Sequence, residues 1–351
     1  MSTIPASNIR DFLHRRTRCD ISVLLVLAAC SPATALGQPE QRAAHKTDPG
    51  EVIAGAPLIK VADYHMREER FGAAAVADRD YLYVIGGSNH EGTPLDSIER
   101  IDFHTGKSEA YGQLRTGRRW HGAVLHERKI YVLGGFNRII PTPNYFESSV
   151  EIIDLASRKI TLATEMPVAR AHFGCALVDG KIYAIGGVIQ RGTNRINTET
   201  TDVYDIATDK WTAGIPLPAP RQVVAAVVDG SIIVPGGYTG YFDQTAVADV
   251  ELFNPKEKTW RSLPPLCQPV AAHALAVLDH RLYLFGNDVP SEQVVTYDLQ
   301  NNQSESRPLQ FTPVRYSAAA VHDGRFYVVG GDLRGHTVLD NIQVYELRKG
   351  Q

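Results

Sequence analysis

The sequence predicts an all-β fold, a closed ring of six four-stranded blades, that is, a six-bladed β-propeller. Three observations carry this. A diglycine that follows an aliphatic strand recurs five times, with a sixth degenerate copy, at nearly constant spacing. Each copy sits inside the same order of strand-like segments. The last copy stops one strand short, and a spare strand stands before the first copy.

The glycines come first. They end YLYVIGG at Gly86-Gly87, KIYVLGG at Gly134-Gly135, KIYAIGG at Gly186-Gly187, SIIVPGG at Gly236-Gly237 and RFYVVGG at Gly330-Gly331, with RLYLFGN ending at Gly286-Asn287. The first glycines are 48, 52, 50, 50 and 44 residues apart. A fixed period near 50 marks a repeat of one blade-sized unit. Before each glycine strand lies a short segment rich in Ala and Val, such as FGAAAVAD or YSAAAVHDG. Small side chains suit an innermost strand where blades converge. The tight turns Asp179-Gly180 and Asp323-Gly324 join the first two strands as type I′ hairpins. The glycine strand is continuously apolar, as expected for a strand buried on both faces. A third, alternating strand often ends in an acid (SIERID, SVEIID, TDVYD), and a fourth carries Trp211 or Trp260 at matching places. The copy ending at Leu347 lacks its fourth strand, and Pro57–Tyr64 (PLIKVADY) is placed to supply it. An N-terminal outer strand completing the last blade closes the ring and removes exposed sheet edges, so a monomer is expected.

Residues 56–351 are therefore assigned to the ring, 36–55 to a polar tether and 1–35 to an export leader. The leader has four arginines within residues 1–18 and a short apolar core, Ile21–Ala29. That core is too short for a membrane span and suits a signal peptide. It runs into Leu27-Ala28-Ala29-Cys30, which resembles a bacterial lipobox with Cys30 as the lipidated residue. Ala33-Thr34-Ala35 offers an ordinary cleavage site instead, and Asp20 is unusual for a leader, so an uncleaved start stays open as well. The expected location is the bacterial periplasm or outer membrane, with the membrane reached only through the lipid anchor. Cys175 and Cys267 lie two repeats apart and are expected to be free thiols, with Cys175 filling core.

The formal net charge of -3 gives no basis for nucleic-acid binding. No metal cluster spacing, phosphate-cradling loop followed by a helix, or Ser-His-Asp order stands out, and no cofactor is expected.

The YVIGG, VYD and KW elements in this order resemble the Kelch-repeat family over about residues 57–347. The resemblance implies a propeller, but it does not fix a function. Members include protein-binding adaptors, copper and iron enzymes, and bacterial periplasmic sialic-acid mutarotases; similarity to the last is one of architecture and compartment. The ligand face in such propellers is built from residues just before the first strand and just after the diglycine. Before the first strand stand Arg70, Arg118, Arg119, Arg170, Arg221 and Arg315, with His121, His172 and His273 nearby. After the glycines come Asn89, Asn137, Tyr238 and Arg334.

One reading makes these a basic, aromatic-lined pocket for a glycan or an acidic protein or peptide. The other pairs the arginines with third-strand acids such as Asp102, Asp154 or Asp205, so that they hold blades together. The expected function is an exported binding module. The alternative is a sugar mutarotase or epimerase using a rim His or Glu as general acid–base, for which a histidine near its ordinary pKa would serve.

Overall fold

A computed structural model of the chain describes residues 57–137, 145–289, 292–334 and 337–348. The leader, the tether and Cys30 lie outside the described residues. The described residues contain strands and turns and no helix, and they form six four-stranded antiparallel sheets. Blade 1 is Ala74–Ala77, Tyr81–Ile85, Ser97–Asp102 and Ser108–Gln113, in spatial as well as chain order. Blades 2 to 5 repeat that order, with innermost strands Gly122–His126, Gly174–Val178, Ala226–Val228 and Ala274–Leu278. Blade 6 runs Ala318–His322, Arg325–Val329, Asn341–Leu347, and its outer strand is Leu58–His65 from the other end of the chain. Leu58 pairs with Leu347, and His65 with Asn341.

The period-two alternation of the second strand explains how the blades adhere. In blade 1, Tyr83 and Ile85 pack toward Ile130 and Val132 of blade 2, while Leu82 and Val84 pack toward Tyr327 and Val329 of blade 6. The same two-sided arrangement joins blades 2 and 3, 3 and 4, 4 and 5, and 5 and 6. A strand with an apolar neighbour on each side has no polar face to show, hence the unbroken Val, Ile, Leu and Tyr runs.

The expected hairpins are present: Asp179-Gly180 and Asp323-Gly324 both have positive φ at the two turn positions, the I′ signature. The diglycine has a more specific cause. At Gly237, with φ of 106°, a Cβ would lie 2.2 Å from the Gln222 carbonyl oxygen. Its N–H meanwhile donates to the Val270 carbonyl of the next blade at 2.8 Å. Gly87, Gly135, Gly187 and Gly331 make the equivalent bond to Arg118, Arg170, Arg221 and Arg70. The second glycine is thus a blade-to-blade tie made where no side chain fits. Cys175 and Cys267 are free thiols; burial pushes the Cys175 thiol up to about 12, so it is inert packing.

Candidate binding face at the mouth of the ring

Each blade enters its innermost strand through a short segment that runs from the ring wall to the axis. The first position of that segment is Arg70, Arg118, Arg170 or Arg221 in blades 1 to 4, and Val270 or Val314 in blades 5 and 6. All four arginines are essentially fully buried. Arg70 donates to Glu99 at 2.5 Å and Arg118 to Glu151 at 2.5 Å. Arg170 pairs with Asp202, and Arg221 with Glu251. Arg118 also donates to the carbonyl oxygens of Gly134 (3.1 Å) and Ser149 (3.2 Å), and Arg170 to those of Gly186 and Thr200.

These side chains turn into their own blade and tie its entrance to its third strand. The expectation that Arg70, Arg170 and Arg221 line the mouth is therefore corrected: they are internal ties. The acids are also not the anticipated ones. Asp102 and Asp154 accept backbone N–H groups in the turns that follow their strands (Thr105 to Asp102 at 2.8 Å, Ser157 to Asp154 at 2.8 Å), and Asp205 does so while pairing with Lys181. The tying acids stand near the start of the strand, on its inward face.

The next position holds Arg119 in blade 2 and Arg315 in blade 6. One residue further along an extended chain faces the other way. Both arginines are partly exposed, unlike the buried ties beside them. The Arg119 guanidinium lies 4.1 Å from the Trp120 ring centroid, over its face, with Phe71 and Phe136 at 5.3 and 5.1 Å. Arg315 pairs with Asp332 at 2.5 Å, and Arg334 with Asp288 at 2.5 Å.

The third and fourth positions converge on the axis as two layers with one residue from every blade. The outer layer is Gly72, Trp120, His172, Val223, Ala272 and Tyr316; the inner one is Ala73, His121, Phe173, Val224, His273 and Ser317. A belt of backbone hydrogen bonds runs through the outer layer. Trp120 N donates to Gly72 O (2.7 Å), His172 N to Trp120 O (2.9 Å), Val223 N to His172 O (3.1 Å), Tyr316 N to Ala272 O (2.7 Å), and Gly72 N to Tyr316 O (2.7 Å). Trp120, His172 and Tyr316 each have φ of 54°, a left-handed backbone that bulky residues seldom adopt. It turns their rings over the axis. Trp120 stacks on His172 with centroids 4.0 Å apart and stands 5.7 Å from Tyr316.

Burial holds the histidines neutral. His121 and His273 are pushed down to about 3 by burial, with Arg118 adding to the effect at His121; burial and Arg119 do the same at His172. The anticipated rim histidine near its ordinary pKa is not among them. Asn137 donates to Glu147 at 3.0 Å, and Asn89 caps its own turn by accepting from Thr93 N at 3.0 Å, so both shape loops. Tyr238 is buried in the cavity wall beside Gln222, and burial raises its phenol pKa.

One candidate residue was not legible in the sequence. Arg195 stands in the hairpin Val188–Arg191/Asn194–Asn197 of blade 3, away from both positions that were searched. Its guanidinium lies 4.5 Å from the Tyr145 ring centroid and donates to the Tyr241 hydroxyl at 3.0 Å. Among the described residues no carboxylate pairs with it. The available signal was the aromatic content of the neighbouring loops, Tyr145-Phe146 and Tyr241-Phe242.

A ring of Kelch-type sheets with diglycine ties and an axial mouth defines the class, and the family comparisons agree. The KLHDC2/KLHL20/DRC7 Kelch-repeats domain matches residues 72–287, and the Kelch motif matches residues 313–351. The chain belongs to the Kelch-repeat family. It is similar to Kelch-like protein terF of Aspergillus terreus (32% identity, 53% of this chain, 43% of the relative). It is also similar to alpha-scruin of Limulus polyphemus (29%, 70% of this chain, 28% of the relative) and to Kelch-like protein 35 of Mus musculus (24%, 82% and 46%). The matches thus span less than half the length of these curated relatives.

Proposed function

We propose that this chain is a binding module that holds a protein partner at the mouth face through an acidic segment with an apolar neighbour. The observation that supports this most is the division of that face. Over blades 2 to 4, the Arg195 guanidinium lies against the Tyr145 ring and donates to the Tyr241 hydroxyl, and no ion pair joins it to a carboxylate among the described residues. A guanidinium seated on a ring face keeps its fork of donors for a carboxylate. Over blades 5 and 6, Arg315 and Arg334 are already engaged by Asp332 and Asp288. Between the two regions, Phe242 is 83% and Val289 67% exposed, on loops of adjacent blades. Exposed large apolar side chains beside cations are the composition of a protein contact surface. The neutral histidines favour binding over acid–base catalysis of sugar mutarotation.

Selection from a displayed peptide library tests this. Enriched peptides are expected to combine Asp or Glu with an apolar residue and to bind less tightly as salt rises. Arg195→Ala should weaken them by roughly ten- to a hundredfold, the worth of one charge-assisted hydrogen bond. Phe242→Ser should weaken them too. Enrichment without acids, or binding indifferent to both substitutions, would count against the reading.

We propose separately that residues 1–35 export the chain and that Cys30 is lipidated, on the strength of the Leu27-Ala28-Ala29-Cys30 run. Expressed in a diderm bacterium fed a labelled fatty acid, the wild type is expected to take up label and Cys30→Ala to lose it. Unlabelled, soluble wild type beginning at Leu36 would indicate ordinary secretion instead.

A further inference from the structure

The two axial layers do not fill the space between them. They enclose a cavity of about 130 Å³ that opens toward the mouth beside Trp120. Its lining carries several polar groups with no hydrogen-bond partner among the described residues: Trp120 Nε1, Gln222 Oε1, Ser317 Oγ and both ring nitrogens of His273. Gln222, His273 and Ser317 are 3, 4 and 8% exposed, so they present little surface to bulk solvent. A native interior rarely leaves such groups bare, and a cluster of them around one void points to something polar that occupies it.

The chemistry of the lining limits the occupant. Trp120 and Ser317 supply donors, and Gln222, Ser317 and neutral His273 supply acceptors, while no ionised side chain lines the cavity among the described residues. An ion would lose its hydration there without a counter-charge, which excludes carboxylates and phosphates. A hydroxyl both donates and accepts, and several hydroxyls on one small skeleton match this mixed set. The Trp120 and Tyr316 rings at the opening suit the C–H faces of such a skeleton. The cavity has room for several waters, which sets the scale of a small polyol or of a monosaccharide partly inserted.

We infer that the axial cavity under Trp120 is a binding site for a small uncharged polyol or monosaccharide, held by Trp120, Gln222, His273 and Ser317. The site is distinct from the proposed partner surface, which uses the outer loops and charge.

The chain has three tryptophans, so a Trp211→Phe/Trp260→Phe background leaves Trp120 as sole reporter. Its emission would be titrated with glycerol, erythritol, xylitol and galactose, and with lactate and galacturonate as charged counterparts. At least one neutral probe is expected to give a saturable change, its charged counterpart binding at least tenfold more weakly. Gln222→Leu and Ser317→Ala, each checked by its melting curve, should weaken the response about tenfold or abolish it. Arg195→Ala should leave it unchanged, which separates this site from the rim. If no probe gives a saturable change, the cavity holds water only and the inference fails. It fails equally if Ser317→Ala, folded as the wild type, binds with unaltered affinity.

Discussion

Replacing Arg118 with alanine is expected to lower stability by about 3–5 kcal/mol, because it strands the buried Glu151 carboxylate without its partner. For a chain of this size that is a fall in Tm on the order of 10 °C. The protein itself contains the control. In blade 5 the arginine position holds Val270 and the acid position Val295, and both pack in one apolar cluster. A blade therefore tolerates the tie being apolar, provided that both ends change. The double variant Arg118→Val/Glu151→Val is expected to recover more than half of the loss, since no unpaired charge remains. Arg119→Ala, one residue away, removes ring contacts with Trp120 and Phe136 and the hydrogen bond to Ser88 from a partly exposed side chain, and should cost less than Arg118→Ala. Thermal and urea melts of the three variants decide it. An Arg118→Ala protein melting within a degree or two of wild type, or a double variant no better than the single, would refute the assignment.

Acidification is expected to weaken the fold through the axial histidines. A histidine of unfolded pKa near 6.5 and folded pKa about 3 stays neutral in the native state while the unfolded chain takes up a proton. Its contribution is complete above pH 6.5 and is lost progressively as pH falls toward 3. Between pH 7 and pH 5 that loss is about 2 kcal/mol for each of His121 and His273, or roughly 4 kcal/mol together. Burial raises the Asp202 and Glu251 carboxyls, which acts in the opposite sense at lower pH, so the histidine share is read by difference. Urea midpoints at pH 7, 6 and 5 for wild type, His121→Phe and His273→Phe should show a shallower pH slope in each variant. Equal slopes would mean that these rings are protonated in the folded state.

The blades were legible in the sequence because a blade repeats its packing problem. Each second strand faces two apolar neighbours, each diglycine meets a carbonyl of the next blade, and each solution is local in sequence. The arginines were harder because two adjacent positions have opposite fates. Arg118 and Arg119 differ by one residue and hence by the side of the chain on which they project. Both stand just before the first strand, and blade 4, shorter by one residue before its glycine, hides the difference. A better signal was within reach. Arg70, Arg118, Arg170 and Arg221 each come with an acid near the start of the third strand, at Glu99, Glu151, Asp202 and Glu251. Where the arginine is absent the acid is absent too, replaced by Val295 or by Gln343, which bonds to Thr312 instead. Arg195 and the axial cavity were not legible, because their partners belong to loops and blades far apart in the chain.

The pairing of Leu58 with Leu347 makes the two ends of the described chain a single seam. Every other blade is assembled from one continuous stretch, so its strands find one another across short loops. The seam alone must bring together segments almost the whole domain apart, and chain entropy opposes that encounter most strongly. Ring closure is thus expected to be the slow step of folding, and blade 6 the place where a transient opening begins. The outer-layer belt bears on the same junction from inside, since the Gly72 N–H to Tyr316 carbonyl bond crosses from blade 6 to blade 1 at the axis. Seam and belt fasten one joint at its outer and inner edges, and a ligand settled against Trp120 and Tyr316 would brace that joint as a keystone does an arch.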